Sequence, residues 1–136
     1  MSNSFALSPR GAITALDDGN NFWCFYTTDK NEVYRLRVDE NGAITQPQKV
    51  ALDDALVPRS GLAGVIHRGP ASTKIVLFYL LRHDHVNLFA TTLTSTTNQA
   101  ADDWNVSRSI VSKSSVGYYT QVSGKGDNVD QIVVTP

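Results

Sequence analysis

The 136-residue chain carries 12 Lys and Arg against 13 Asp and Glu, a formal net charge of −1, with 41% hydrophobic and 18% charged residues. Without a basic excess to neutralise phosphates, and without an apolar run long enough to cross a bilayer as a helix, neither nucleic acid nor membrane is an expected partner. One domain is expected, long enough to bury roughly 70% of the surface its unfolded form exposes.

The stretch Met1 to Pro9 lacks a basic segment followed by an apolar one. The expected location is therefore cytoplasmic, or secreted without a recognisable signal. Next, Ala12 to Leu16 reads as a strand of small and β-branched residues, closed by the turn cluster Asp17-Asp18-Gly19-Asn20-Asn21. An aromatic strand, Phe22 to Thr27, follows. Its Cys24 is the single cysteine, which excludes an internal disulfide. Between Trp23 and Phe25 it reads as a small buried apolar residue rather than a reactive thiol. After a turn at Asp29-Lys30-Asn31, Glu32 to Val38 alternates polar with apolar, the pattern of a half-exposed strand. Asn41-Gly42 signals a hairpin into a short outer strand near Ala43 to Thr45.

Ala51 to Val57 links this unit to a second one with the same order of strand types. Leu62 to His67 is its small-residue strand, Lys74 to Leu81 its apolar strand, Val86 to Thr92 its alternating strand and Trp104 to Arg108 its outer strand. The run Ile75-Val76-Leu77-Phe78-Tyr79-Leu80-Leu81 has no polar interruption and predicts burial on both faces. A third unit supplies Val116 to Ser123 and Gln131 to Thr135, separated by the turn Gly124 to Asn128. No segment sustains a 3.6-residue apolar period, so almost no helix is expected.

Three echoes about 50 residues apart, over approximately residues 9–57, 58–111 and 112–136, predict a single all-β domain built of repeats. Four-stranded antiparallel units with small residues innermost describe β-propeller blades, about two and a half per chain. Innermost strands converge on an axis, where Ala12, Ala15, Ala63 and Gly64 fit and leucines crowd. The alternative is a β-sandwich or closed barrel. Blade edges left open invite pairing, so a homo-oligomer is expected. A dimer would bring about twenty strands, the number for five four-stranded blades, with Phe5 to Leu7 available as an outer strand.

The text FWCFYTTDKNEVYRLRVDENGA at 22–43 and KIVLFYLLRHDHVNLFA at 74–90 resembles the blades of the fungal fucose-binding propeller lectins. The aromatic pairs Phe25-Tyr26 and Phe78-Tyr79 and the outer-strand Trp104 carry the resemblance. It implies the propeller fold, a glycan or other small-molecule ligand held between blades, and Arg35, Arg37 and Arg82 near the inter-blade grooves. The family's sugar-gripping Arg position holds Trp23 and Val76 here. Its Glu position holds Tyr34 or Arg35 in the first unit, and Asn87 or Leu88 in the second.

The candidate ligand contacts are Trp104, Arg35, Arg82, Tyr118, Tyr119 and Trp23, since rings and guanidinium groups anchor ligands in clefts. Trp23, in an apolar strand, has packing in the core as its competing role. His83-Asp84-His85 reads as a solvated turn; two imidazoles at i and i+2 of a strand would be needed to share a zinc ion. The pairs Asp17-Asp18, Asp53-Asp54 and Asp102-Asp103 read as turn and linker residues. With no nucleophile elbow, phosphate loop or Cys pair, no cofactor or metal is implied. The leading expectation is a lectin-like, non-enzymatic binding module. The alternatives are a propeller-fold cyclase or isomerase positioning a small apolar metabolite, or a structural subunit with an apolar flank.

Overall fold

The computed structural model describes residues 12–17, 19, 21–68, 72–95, 105–115, 117–126 and 132–135. The first unit comprises β1 (Ile13–Asp17), β2 (Phe22–Thr27), β3 (Val33–Val38) and β4 (Gln48–Lys49). The second comprises β5 (Ala63–Arg68), β6 (Thr73–Leu81), β7 (Asp84–Ser95) and β8 (Asn105–Lys113). Three short strands follow, β9 (Gln121–Ser123), β10 (Lys125–Gly126) and β11 (Val133–Thr135). The chain is all-β. Among the described residues there is no helix, and none long and apolar enough to cross a membrane.

Each of the first two units is an antiparallel meander, with orders β1-β2-β3-β4 and β5-β6-β7-β8, and β9 pairs β11 antiparallel. No sheet among the described residues closes into a barrel. Among the described residues the one parallel pairing joins β10 to β5, Lys125 opposite Gly64 and Gly126 opposite Val65. One face of β5 lies against β1: a methyl group added at Gly64 would meet Leu16 Cδ1 at 3.1 Å and Thr14 Cγ2 at 3.3 Å. The first strands of the units therefore crowd one another, and a small residue is what lets them approach.

Side-chain alternation along β6 explains why its run is apolar throughout. Ile75, Leu77, Tyr79 and Leu81 enter one core cluster with Trp23, Phe25 and Leu16 of the first sheet. Phe78 and Leu80, of opposite parity, enter a second cluster with Tyr119, Val122 and Val134 of the third. The second sheet is a middle layer covered on both faces, so its central strand has no solvent side on which to place polar residues. Within that layer the Tyr79 hydroxyl meets Thr91 Oγ1 at 2.6 Å, satisfying both groups in the core.

The first two sheets each carry a stacked aromatic pair. Tyr26 stacks on Tyr34 across β2 and β3, centroids 6.2 Å apart, and Tyr79 stacks on Phe89 across β6 and β7 at 6.1 Å. The segment that leaves each unit is braced back onto it by a backbone bond. Leu56 N–H donates to the Asn31 carbonyl at 2.9 Å, and Tyr119 N–H donates to the His85 carbonyl at 2.8 Å.

Several expectations from sequence need correction. The outer strand of the first unit pairs at Gln48–Lys49; Ile44 makes only an isolated bridge to Val38. Asp39 Oδ1 accepts the N–H groups of Asn41 and Ala43, curling the chain into a tight turn. Pro47, which has no N–H to donate, separates that turn from the strand. The innermost strand of the third unit starts at Gln121, not Val116, because the preceding residues are tied to β7: Ser114 N–H donates to the Val86 carbonyl at 2.7 Å. Asp84 and His85 belong to β7, leaving Arg82 and His83 as the turn. Cys24 is half-buried, not buried, since alternation turns it away from the face that buries Trp23 and Phe25.

Candidate functional site

The first and second units meet at an open cleft of about 360 Å³. Lys30 and Glu32, at the entry to β3, form one wall with Lys49 of β4. Asp53 and Asp54, from the connecting segment, form the floor with Arg82 of the β6–β7 turn. The charges are already in pairs. Lys49 Nζ bonds Glu32 Oε2, and Arg108 bonds Asp53.

Asp54 organises the floor. Its carboxylate accepts the N–H of Ala55 at 2.8 Å, the N–H of His83 at 3.0 Å and an Arg82 guanidinium N–H at 3.2 Å. His83 Nδ1 stands 2.7 Å from Asp54 Oδ2, the oxygen that also accepts the His83 N–H. Burial pushes this carboxyl up, but the Ala55 and His83 N–H groups, with the charges of His83 and Arg82, hold it below its ordinary value. A group whose folded pKa is depressed contributes stability above its unfolded pKa and loses that contribution as pH falls through the folded value. Asp54→Asn is therefore expected to be less stable than the parent at neutral pH, and the gap should close in acid. Urea midpoints from pH 7 down to pH 2.5 test this; a gap constant with pH would refute it.

The candidates drawn from sequence fall in different places. Arg82 lines the cleft. Arg35 lies on the first sheet, donating to Gln48 Oε1 at 2.8 Å and sitting 5.8 Å over the Trp23 ring. Trp23 itself is only 1% exposed and belongs to the core, so packing, not ligand contact, is its role. Tyr119 is likewise buried, its hydroxyl 2.6 Å from Ser112 Oγ. Tyr118, its neighbour in sequence, is 60% exposed and stacks on His85 with centroids 4.6 Å apart. Trp104, Phe5 to Leu7, Asp18 and Asp102-Asp103 lie outside the described residues.

Lys30, Glu32, Lys49, Asp53 and Asp54 were not singled out as site residues by the sequence. The turn and linker signals that place them hold, but a turn signal does not say which side chains converge. His83 and His85 do not share an ion: the first turns to Asp54 and the second to Tyr118 and the Tyr119 carbonyl. Among the described residues no group of three or more His, Cys, Asp or Glu is placed to hold a metal. Burial pushes the Cys24 thiol up, leaving it protonated at neutral pH and a poor nucleophile.

The arrangement can offer cationic donors and carboxylate acceptors to one small polar molecule from both sides. A scan against family models and a search of curated proteins both find no match for this chain.

Proposed function

We propose that this chain is a lectin-like binding module whose sheets are propeller blades, completed by a second copy, with a carbohydrate or similarly hydroxyl-rich ligand held between the first and second units. The observation that carries the reading is the cleft at that boundary, with Arg82, Lys49, Glu32, Asp53 and Asp54 around it. A polyol presents hydroxyls that donate and accept at once. It is matched by alternating cations and carboxylates rather than by either alone. Exposed ion pairs contribute only about 0–1 kcal/mol each, so exchanging them for ligand hydroxyls costs little. The blade reading draws on the repeated meanders, the crowding of β1, β5 and β10, and the likeness of the repeat text to the fucose-binding lectins.

Glycan-array binding followed by calorimetry tests the function. Arg82→Ala and Glu32→Gln are each expected to weaken the best glycan by roughly tenfold or more, the worth of a charge-assisted hydrogen bond. No glycan retained, together with tight binding of a non-sugar, would refute the lectin reading. Native mass measurement tests the ring: a species of twice 14.9 kDa is expected, and a compact monomer at micromolar concentration would refute self-completion.

A further inference from the structure

The boundary between the second unit and the third strand pair occupies the same place in the repeat as the charged cleft, yet carries different chemistry. In both units the connecting segment is braced by an N–H donated to a carbonyl at the entry to the third strand, Leu56 to Asn31 and Tyr119 to His85. The residues just before the brace are Asp54-Ala55 in one case and Gly117-Tyr118 in the other. Directly before the brace the first boundary carries Ala55, next to Asp54, and the second carries the Tyr118 ring, next to Gly117.

That ring is held on one side and open on the other. Tyr118 stacks on His85, the planes inclined by 21°, and remains 60% exposed. Its backbone is fixed in three ways. Ser114 Oγ donates to the Tyr118 carbonyl at 3.3 Å, Tyr119 N–H is the brace itself, and Tyr119 is anchored below by its hydroxyl contact with Ser112. Gly117, at φ 119°, gives the turn into Tyr118 a backbone conformation that favours glycine. Along β7 beside His85, half-buried Asn87 and Asp84 form a hydrogen-bonded polar pair, Nδ2 to Oδ1 at 2.9 Å. A single exposed aromatic is unremarkable in itself. One clamped face to face by a second ring, with its other side open, is a pre-organised stacking surface.

We infer that the free face of Tyr118, backed by His85, is a second ligand platform that takes the C–H face of a pyranose ring. The inference rests on reading the chain as a carbohydrate-binding module, but it uses none of the residues of the charged cleft. Saturation-transfer NMR on the full chain with the methyl glycosides of glucose, galactose and mannose at millimolar concentration tests it. The ring protons of one sugar face should be saturated most strongly. Tyr118→Phe, which keeps the stack, should bind within about twofold of the parent, whereas Tyr118→Ala should bind about five- to tenfold more weakly. Tyr118→Leu, which keeps apolar bulk without the π-face, should behave like the alanine variant and guards against a folding effect. Arg82→Ala, which disables the cleft, should lower the total saturation while the face-selective part persists. A signal lost in Arg82→Ala but kept in Tyr118→Ala would overturn the platform while sparing the cleft. No face-selective saturation by any of the three glycosides would overturn the platform whatever the array shows.

Discussion

Gly61→Ala is expected to lower the unfolding free energy by about 3 kcal/mol, while Gly42→Ala, at nearly the same backbone angle, costs only about 1 kcal/mol. Gly61 has φ +87° and Gly42 has φ +84°, so both substitutions force an L side chain into the left-handed region. The difference is what the new methyl meets. At Gly42 it meets nothing within 4 Å, whereas at Gly61 it falls 2.3 Å from the Val122 carbonyl oxygen. Backbone cannot swing aside as a side-chain tip can. The Ser60 carbonyl accepts Val122 N–H at 2.7 Å, so the clash pries at the bond that docks β9 on the segment leading into β5. Thermal midpoints should fall by roughly 10 °C for Gly61→Ala and roughly 3 °C for Gly42→Ala. Hydrogen exchange should show the β9 and β11 amides losing protection first. Equal midpoints for the two variants would refute this account.

The same contrast shows what a sequence can announce. The seven-residue apolar run through Ile75 and Leu81 is legible because only a strand covered on both sides has no use for polar residues. The structure covers it with Trp23 and Phe25 on one side and Tyr119 and Val122 on the other. Phe25-Tyr26 and Phe78-Tyr79 are legible as equivalents because period-two alternation puts each tyrosine opposite an aromatic on the next strand. The cleft is not legible in this way. Its walls come from Glu32, Asp54 and Arg82, each placed by a turn or linker whose residue types report backbone conformation and solvent exposure, not proximity. Nor does the sequence tell Tyr118 from Tyr119. Strand-like parity separates them, one to solvent and one to the core, but which goes where depends on the brace to His85, and that bond spans 34 residues. The outer strand at Gln48–Lys49 escaped for a smaller reason. Asp39 caps the hairpin from within, and the propensity of Ala43 to Thr45 cannot outweigh the two hydrogen bonds its carboxylate accepts.

Trp23→Ala should be among the most costly single changes in the chain, at about 3–5 kcal/mol. The indole is 1% exposed and lies in the cluster that joins the first sheet to the second, with Leu16, Phe25, Ile75 and Leu77. Removing it leaves a cavity walled by strands of two sheets, which cannot collapse without moving one sheet against the other. It also strips the ring from beneath the Arg35 guanidinium, a contribution of about 0.5–1 kcal/mol at a partly exposed site. Against a typical total of about 5–15 kcal/mol for a domain, this is a large fraction. A urea titration should show an earlier midpoint with little change in slope, as expected when stability changes but the surface exposed on unfolding does not. Arg35→Ala separates the two parts of the effect, because it should cost no more than about 1 kcal/mol. The comparison also separates packing from recognition: a ring held for ligand contact can be removed at little cost to folding, and one that joins two sheets cannot. A Trp23→Ala protein within 1 kcal/mol of the parent would show that the first two sheets do not depend on their shared core, and with it would go the boundary on which the cleft is built.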